Sequence, residues 1–167
     1  HPGKRLRPHI KAHKCSGLAA EQEGAGHSSF TCATPREVLG MIHAGVGNDF
    51  LLANEVLDPR RLEALASAQD QALITLAIDS EETLDAAERA GIQNIMIDVN
   101  VGLPRCGCDP SIAGRLADSA RVRGMTVRGV MGYEGHLMMV NDREEKKKNV
   151  RDAMSILALA HEDVGGD

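Results

Sequence analysis

Aromatic residues are nearly missing from this chain: there is no tryptophan, one tyrosine (Tyr133) and two phenylalanines (Phe30 and Phe50). A core must therefore be assembled mainly from Leu, Ile, Val, Met and Ala. Long apolar runs are lacking as well, and none approaches the roughly 20 residues that a membrane-spanning helix needs. There is no surplus of positive charge. The formal net charge of −5 argues against broad nucleic-acid binding and against attraction to an anionic membrane surface. Cysteines are few and irregularly spaced (Cys15, Cys32, Cys106, Cys108), which excludes a disulfide framework and leaves a reducing, cytoplasmic setting as the expectation. Cys106-Gly107-Cys108 has the spacing of half a metal site, but no second ligand pair accompanies it. Small buried thiols at a strand-to-loop junction fit better. The glycine fingerprint of a dinucleotide site and the phosphate-binding P-loop are absent too. Gly24-Ala25-Gly26 is the nearest approach and reads as a loop.

What is present is an alternation of strands and helices. Strands are expected over 8–13, 29–33, 49–53, 73–78, 94–101 and 126–132. Several are near-continuous apolar runs (Leu73 to Ile78, Ile95 to Ile97), the pattern of parallel strands covered on both faces. Helix starts are marked by Thr34-Pro35, Asp58-Pro59 and Asp109-Pro110, each an N-cap residue before a proline at the first helical position, and by Ser80 ahead of Glu81 and Glu82. Gly45, Gly91 and Gly124 close helices. A last helix is expected from about Asp142 to Glu162, with a solvated charge run (Arg143 to Lys148) and an apolar face on Val150, Met154 and Leu157.

Such spacing implies βαβ units and a parallel sheet, either doubly wound or closed into a (β/α)8 TIM barrel. About six units are visible, against the eight and about 250 residues of a closed barrel. Polar residues gather at strand C-terminal ends (Lys11, His13, Thr31, Asn54, Asp79, Asn100, Arg105, Tyr133, His136), where a barrel keeps its active face. An incomplete barrel over 1–167 is therefore expected. The chain opens on His1 and stops in Val164-Gly165-Gly166-Asp167, so both ends read as cut.

Three clusters could carry chemistry. In Arg7-Pro8-His9-Ile10-Lys11-Ala12-His13-Lys14, strand alternation would turn His9, Lys11 and His13 to one face. That face would line a polar cavity, where neighbouring cations favour an unprotonated, aldehyde-reactive lysine. The plain alternative is a surface lysine. In Asp98 to Gly107, Gly102 and Gly107 bracket a tight loop presenting Arg105, a donor for a phenolate or carboxylate oxygen or an ordinary surface arginine. In Gly129 to His136, Gly129, Gly132 and Gly135 suggest close backbone approach to a ligand, with Tyr133 and His136 beside it.

Together with Leu-Leu-Ala-Asn-Glu-Val at 51–56, the Lys11 segment, the 98–107 loop and Gly132-Tyr133-Glu134-Gly135-His136 resemble the D-threonine aldolase/D-serine dehydratase family. These are pyridoxal-phosphate enzymes with an alanine-racemase-type barrel. The resemblance implies Lys11 as the Schiff-base lysine, Arg105 near the cofactor's 3-hydroxyl, and Tyr133 and His136 beside its ring or the substrate. It groups His13 with the cofactor contacts and makes His136 a candidate base on the substrate's β-hydroxyl. It implies a lyase acting on a small D-β-hydroxy amino acid, by retro-aldol cleavage to glycine and an aldehyde or by dehydration. Racemisation and a non-catalytic cofactor carrier are the alternatives on the same barrel. The family's phosphate-binding loops, its C-terminal β domain and its divalent-metal ligands (for Mn, Mg or Zn) lie beyond Asp167. No metal ligand is thus expected here, and this chain alone is expected to be inactive. Neither a nucleic-acid nor a membrane partner is expected, and a homodimer is left open.

Overall fold

The apolar run Leu73–Ile78 becomes β3, and its neighbours fall into place by short parallel ladders. The computed structural model describes residues 6–166. The elements run α1 (Ser16–Gly24), β1 (Ser29–Cys32), α2 (Pro35–His43), β2 (Asp49–Leu52), α3 (Pro59–Ala66), β3 (Leu73–Ile78), α4 (Glu81–Ala90), β4 (Asn94–Asp98), α5 (Ala113–Val122), β5 (Thr126–Met131) and α6 (Arg143–Val164). The sheet order is β1-β2-β3-β4-β5. A doubly wound sheet reverses its strand order at a switch point. This one never does, which is the order of successive units in a barrel. Among the described residues, five strands stand where six were expected.

The missing one is the first. Residues 8–13 hold a single bridge, His9 to Thr31, followed by a 3-10 turn at Ile10–Ala12. The fifth expected strand is also shorter than foreseen, since β4 ends at Asp98.

The chain divides into two compact units, one up to Leu76 together with Ala86–Asn94, the other Ala77–Asp85 together with Ile95 onward. In the first, β1 and β2 pair in register with Phe30 opposite Phe50. Both rings are wholly buried and stacked, with centroids 6.5 Å apart. Gly47 makes room for them, because a Cβ there would lie 2.7 Å from Phe30. The two phenylalanines of this aromatic-poor chain therefore anchor one core. Thr34 and Asp58 cap α2 and α3 as expected, each accepting from the backbone N–H three residues on. The Arg61 N–H first of all, then the neighbouring arginine charges, hold the Asp58 carboxyl below its usual range.

In the second unit, Ala113, Leu116, Ala117 and Ala120 are buried on α5, and Ala153, Ala160 and Val164 on α6. Gly114 sits where a Cβ would come within 3.2 Å of Asp163. The apolar face of α6 is therefore not the expected one. Met154 remains exposed and Leu157 is only half-buried. Asp142 caps this helix through the Glu145 N–H at 2.7 Å, and the charge run from Arg143 is largely exposed, as foreseen. Among the described residues no helix is long and apolar enough to cross a membrane.

Candidate active-site residues

The segment bearing Lys11 is built by side chains acting on backbone. The Pro8 carbonyl accepts from Thr31 N at 2.8 Å, the one ladder-like bond here. His9 Nδ1 then accepts from Lys11 N at 3.4 Å, and His13 Nδ1 from Cys15 N at 3.1 Å. Imidazoles that take up nearby N–H groups offer the backbone an alternative to a strand, and Pro8 has no N–H to give a ladder. The alternation expected of 8–13 is thereby lost. Ile10 alone is buried, and Lys11 is exposed on the turn rather than enclosed in a polar cavity.

Two consequences bear on chemistry. Because His13 Nδ1 accepts, its neutral ring carries the proton on Nε2, which is buried and has no partner among the described residues. Burial first, and then the Lys11 charge, lower the His9 pKa and favour its neutral form. Lys14, next along, takes a left-handed backbone (φ 48°). Its ammonium lies 3.4 Å from Glu37 Oε1, an ion-pair distance rather than a well-formed hydrogen bond. Glu37 Oε2 accepts from Ala33 N at 2.7 Å.

In the second unit the loop after β4 folds on itself. Asn100 N donates to the Cys108 carbonyl and Cys108 N to that of Asp98, each at 2.9 Å. Gly107 (φ 92°) permits this, since a Cβ there would stand 2.7 Å from Asn100 N, and its own N–H donates to Asp79 Oδ2 at 3.1 Å. The Cys106 thiol donates to the buried Asp98 at 3.4 Å. Burial above all, with Asp79 and Asp98 nearby, pushes the Cys108 thiol up to about 11. Both cysteines thus serve the loop's interior. From this loop Arg105 places its guanidinium 5.6 Å from the centre of the Tyr133 ring, a cation–π contact.

Several of these glycines make room for the protein's own side chains. Gly135 lies under the Tyr133 ring, where a Cβ would be 2.3 Å away. Gly102 lies under the His136 imidazole, where a Cβ would be 2.7 Å from Cε1 and 2.8 Å from Nε2. Gly132 faces Val101 and the Val99 carbonyl. The structure thus groups Arg105 with Tyr133, seats His136 on the same loop as Arg105, and separately gathers Lys11 with His9 and His13. Asp79 and Asn100, read from sequence only as polar strand ends, turn out to hold the loop, accepting from Gly107 N and Gly102 N respectively. The residue missed at the sequence level is Glu37, which did leave a local signal, the Thr34-x-x-Glu37 capping-box spacing.

Comparison with known proteins gives one family and several relatives. A family model described as alanine racemase, N-terminal domain, matches residues 1–164. D-threonine aldolase from an Arthrobacter species is 32% identical over 160 residues, covering 92% of this chain and 42% of its own length. 3-Hydroxy-D-aspartate aldolase from Paracoccus denitrificans is 26% identical over 182 residues, covering 98% of this chain and 47% of its own. The crystal structure of D-threonine aldolase from Filomicrobium marinum superposes with a TM-score of 0.88 at 30% identity, covering 96% of this chain and 45% of that one. The chain therefore spans less than half the length of the relatives it matches.

Proposed function

Since this chain belongs to the alanine racemase N-terminal domain family, we propose that the whole protein is a pyridoxal-phosphate-dependent lyase acting on D-β-hydroxy amino acids. The favoured reaction is cleavage between Cα and Cβ to glycine and an aldehyde. The observation that carries the reading is the Lys11 turn, an accessible amine on a backbone pinned by two imidazoles, within a sequence 32% identical to a D-threonine aldolase.

The donor set fits the cofactor chemically. An amine suits an aldehyde, and the unpartnered Nε2–H of His13 is a buried donor in want of an acceptor. A guanidinium stacked on a ring suits an anionic oxygen beside an aromatic group. When bound, the cofactor supplies the electron sink for charge left at Cα as the bond breaks. By the resemblance, Lys11 would hold the group by its amine and His13 would donate to it, while Arg105, with Tyr133 against its guanidinium, would supply a donor for a ring oxygen. His136 takes the proton from the substrate's β-hydroxyl, whose loss lets the carbon–carbon bond break. A divalent metal held by residues outside this chain, a D-amino acid as the small-molecule substrate, a cytoplasmic location and a homodimeric assembly complete the proposal.

The test is to mix the full-length protein with D-threonine and with D-serine, with and without a chelator. Glycine plus acetaldehyde from D-threonine supports the aldolase. Pyruvate from D-serine, or 2-oxobutanoate from D-threonine, would assign dehydration instead. Lys11→Ala is expected to abolish the visible absorbance of the bound cofactor, and retained covalent colour would remove Lys11 from this role.

A further inference from the structure

We infer that Gly102 is a positioning residue for His136, a reading that deepens the proton-transfer role just proposed and rests on it. Gly102 follows β4 in a turn closed by the Asn100 side chain, whose Oδ1 accepts from Gly102 N at 2.8 Å. Its φ of 124° is a backbone conformation that L side chains rarely adopt. The imidazole of His136 rests on the open face of this glycine. A Cβ added there would stand 2.7 Å from Cε1, 2.8 Å from Nε2 and 3.6 Å from Nδ1. Nothing but a hydrogen fits in that gap, so the Cε1–Nε2 edge of the ring is set by the loop beneath it. That edge carries one of the two nitrogens able to exchange a proton with substrate.

The contact falls on the far end of a side chain that can rotate. A methyl group at residue 102 is therefore relieved by swinging His136 away rather than by breaking the sheet. Gly102 and His136 belong to two motifs more than thirty residues apart, and this contact is one of those that join the two motifs, beside the Arg105–Tyr133 contact. The role is distinct from that of Gly107, where a Cβ would strike the backbone of Asn100 and the loop itself would have to open.

The experiment uses full-length protein and begins without a variant. An NMR cross-peak between the Gly102 α-protons and the His136 Hε1 proton is expected, and its absence overturns the inference. In Gly102→Ala the His136 Hε1 resonance is expected to move. Turnover should fall on the order of 10²-fold in kcat with KM changed far less, the scale that a misplacement of about 1 Å brings. The same substitution on a His136→Ala background should cost nothing further, because the two residues act as one unit. Gly26→Ala is the control for backbone strain, since Gly26 has φ 100° and open space around it. It should lose stability yet leave the His136 resonance and kcat unchanged. A Gly102→Ala enzyme with an unmoved His136 resonance, or one whose loss adds fully to that of His136→Ala, overturns the inference. Wild-type turnover in His136→Ala would instead refute the proton-transfer reading, and the cross-peak and the displaced ring would still decide the positioning.

Discussion

Removing the Glu37 carboxylate should loosen the Lys11 turn, and the structure sets the size of the effect. The Glu37 side chain is only 8% exposed, while its partner Lys14 is 64% exposed. An ion pair to so exposed a lysine contributes about 0–1 kcal/mol after screening. The bond from Ala33 N to Oε2 is short, at 2.7 Å, and partly buried. Leaving that N–H without an acceptor costs about 1–3 kcal/mol. The hydrogen bond therefore outweighs the ion pair, and Glu37→Ala should destabilise by about 2 kcal/mol. For a chain of this size that lowers Tm by roughly 4–8 °C. Glu37→Gln keeps an oxygen for Ala33 N and loses only the charge, so it should cost about 1 kcal/mol or less. Lys14 follows directly on His13 and holds its left-handed conformation beside Glu37. Freeing it should therefore weaken cofactor binding more in the alanine variant than in the glutamine one. Urea unfolding followed by circular dichroism gives the stabilities, and a spectroscopic pyridoxal-phosphate titration gives the affinities. A Glu37→Ala protein as stable as Glu37→Gln, with equal cofactor affinity, would refute the reasoning.

Stability should also depend on pH through His9. Its folded-state pKa lies below the ordinary value of 6.5, so the fold binds this proton less tightly than the unfolded chain does. The contribution is full above 6.5 and is lost as the pH falls through that value toward the folded pKa. His9→Asn, which keeps an acceptor for Lys11 N, should flatten this part of a pH–stability curve, and an unchanged slope would count against the assignment. Thiol reactivity gives another check. Burial pushes Cys32 up to about 12 and Cys108 up to about 11, while Cys15 is exposed. Alkylation at mildly alkaline pH, read by peptide mass spectrometry, should label Cys15 well before Cys32 and Cys108, because the thiolate is the reacting form. Early labelling of Cys108 would mean that the loop around it opens readily.

The parts of the fold that sequence exposed are those fixed locally. Thr34-Pro35 and Asp58-Pro59 cap α2 and α3 because a side-chain oxygen and a preset φ act within a single turn. The run Leu73–Ile78 reads as a strand because all but its first residue are buried. What escaped depended on contacts distant in sequence or on competition for backbone groups. Helix α1 buries only Ala19, so no apolar stripe announces it. The buried side of α6 is made of Ala153, Ala160 and Val164, and hydropathy alone ranks the two alanines below Met154 and Leu157. Residues 8–13 alternate like a strand, yet His9 and His13 spend their imidazoles on nearby N–H groups.

The same distinction governs the chemistry. Residue types and their order single out Lys11, Arg105, Tyr133 and His136 as candidates, because an amine, a guanidinium, a phenol and an imidazole are legible one at a time. Their placement was not legible, because it rests on glycines whose partners lie elsewhere in the chain. Gly135 could be read from sequence only as freedom, whereas in the structure it is the floor under Tyr133. A glycine-rich motif beside reactive side chains thus has two physical explanations, access for a ligand and room for the protein's own rings. They differ in what a methyl group displaces. In this chain the displaced atoms belong to Tyr133 at Gly135 and to His136 at Gly102, so these two glycines make room for the protein's own rings.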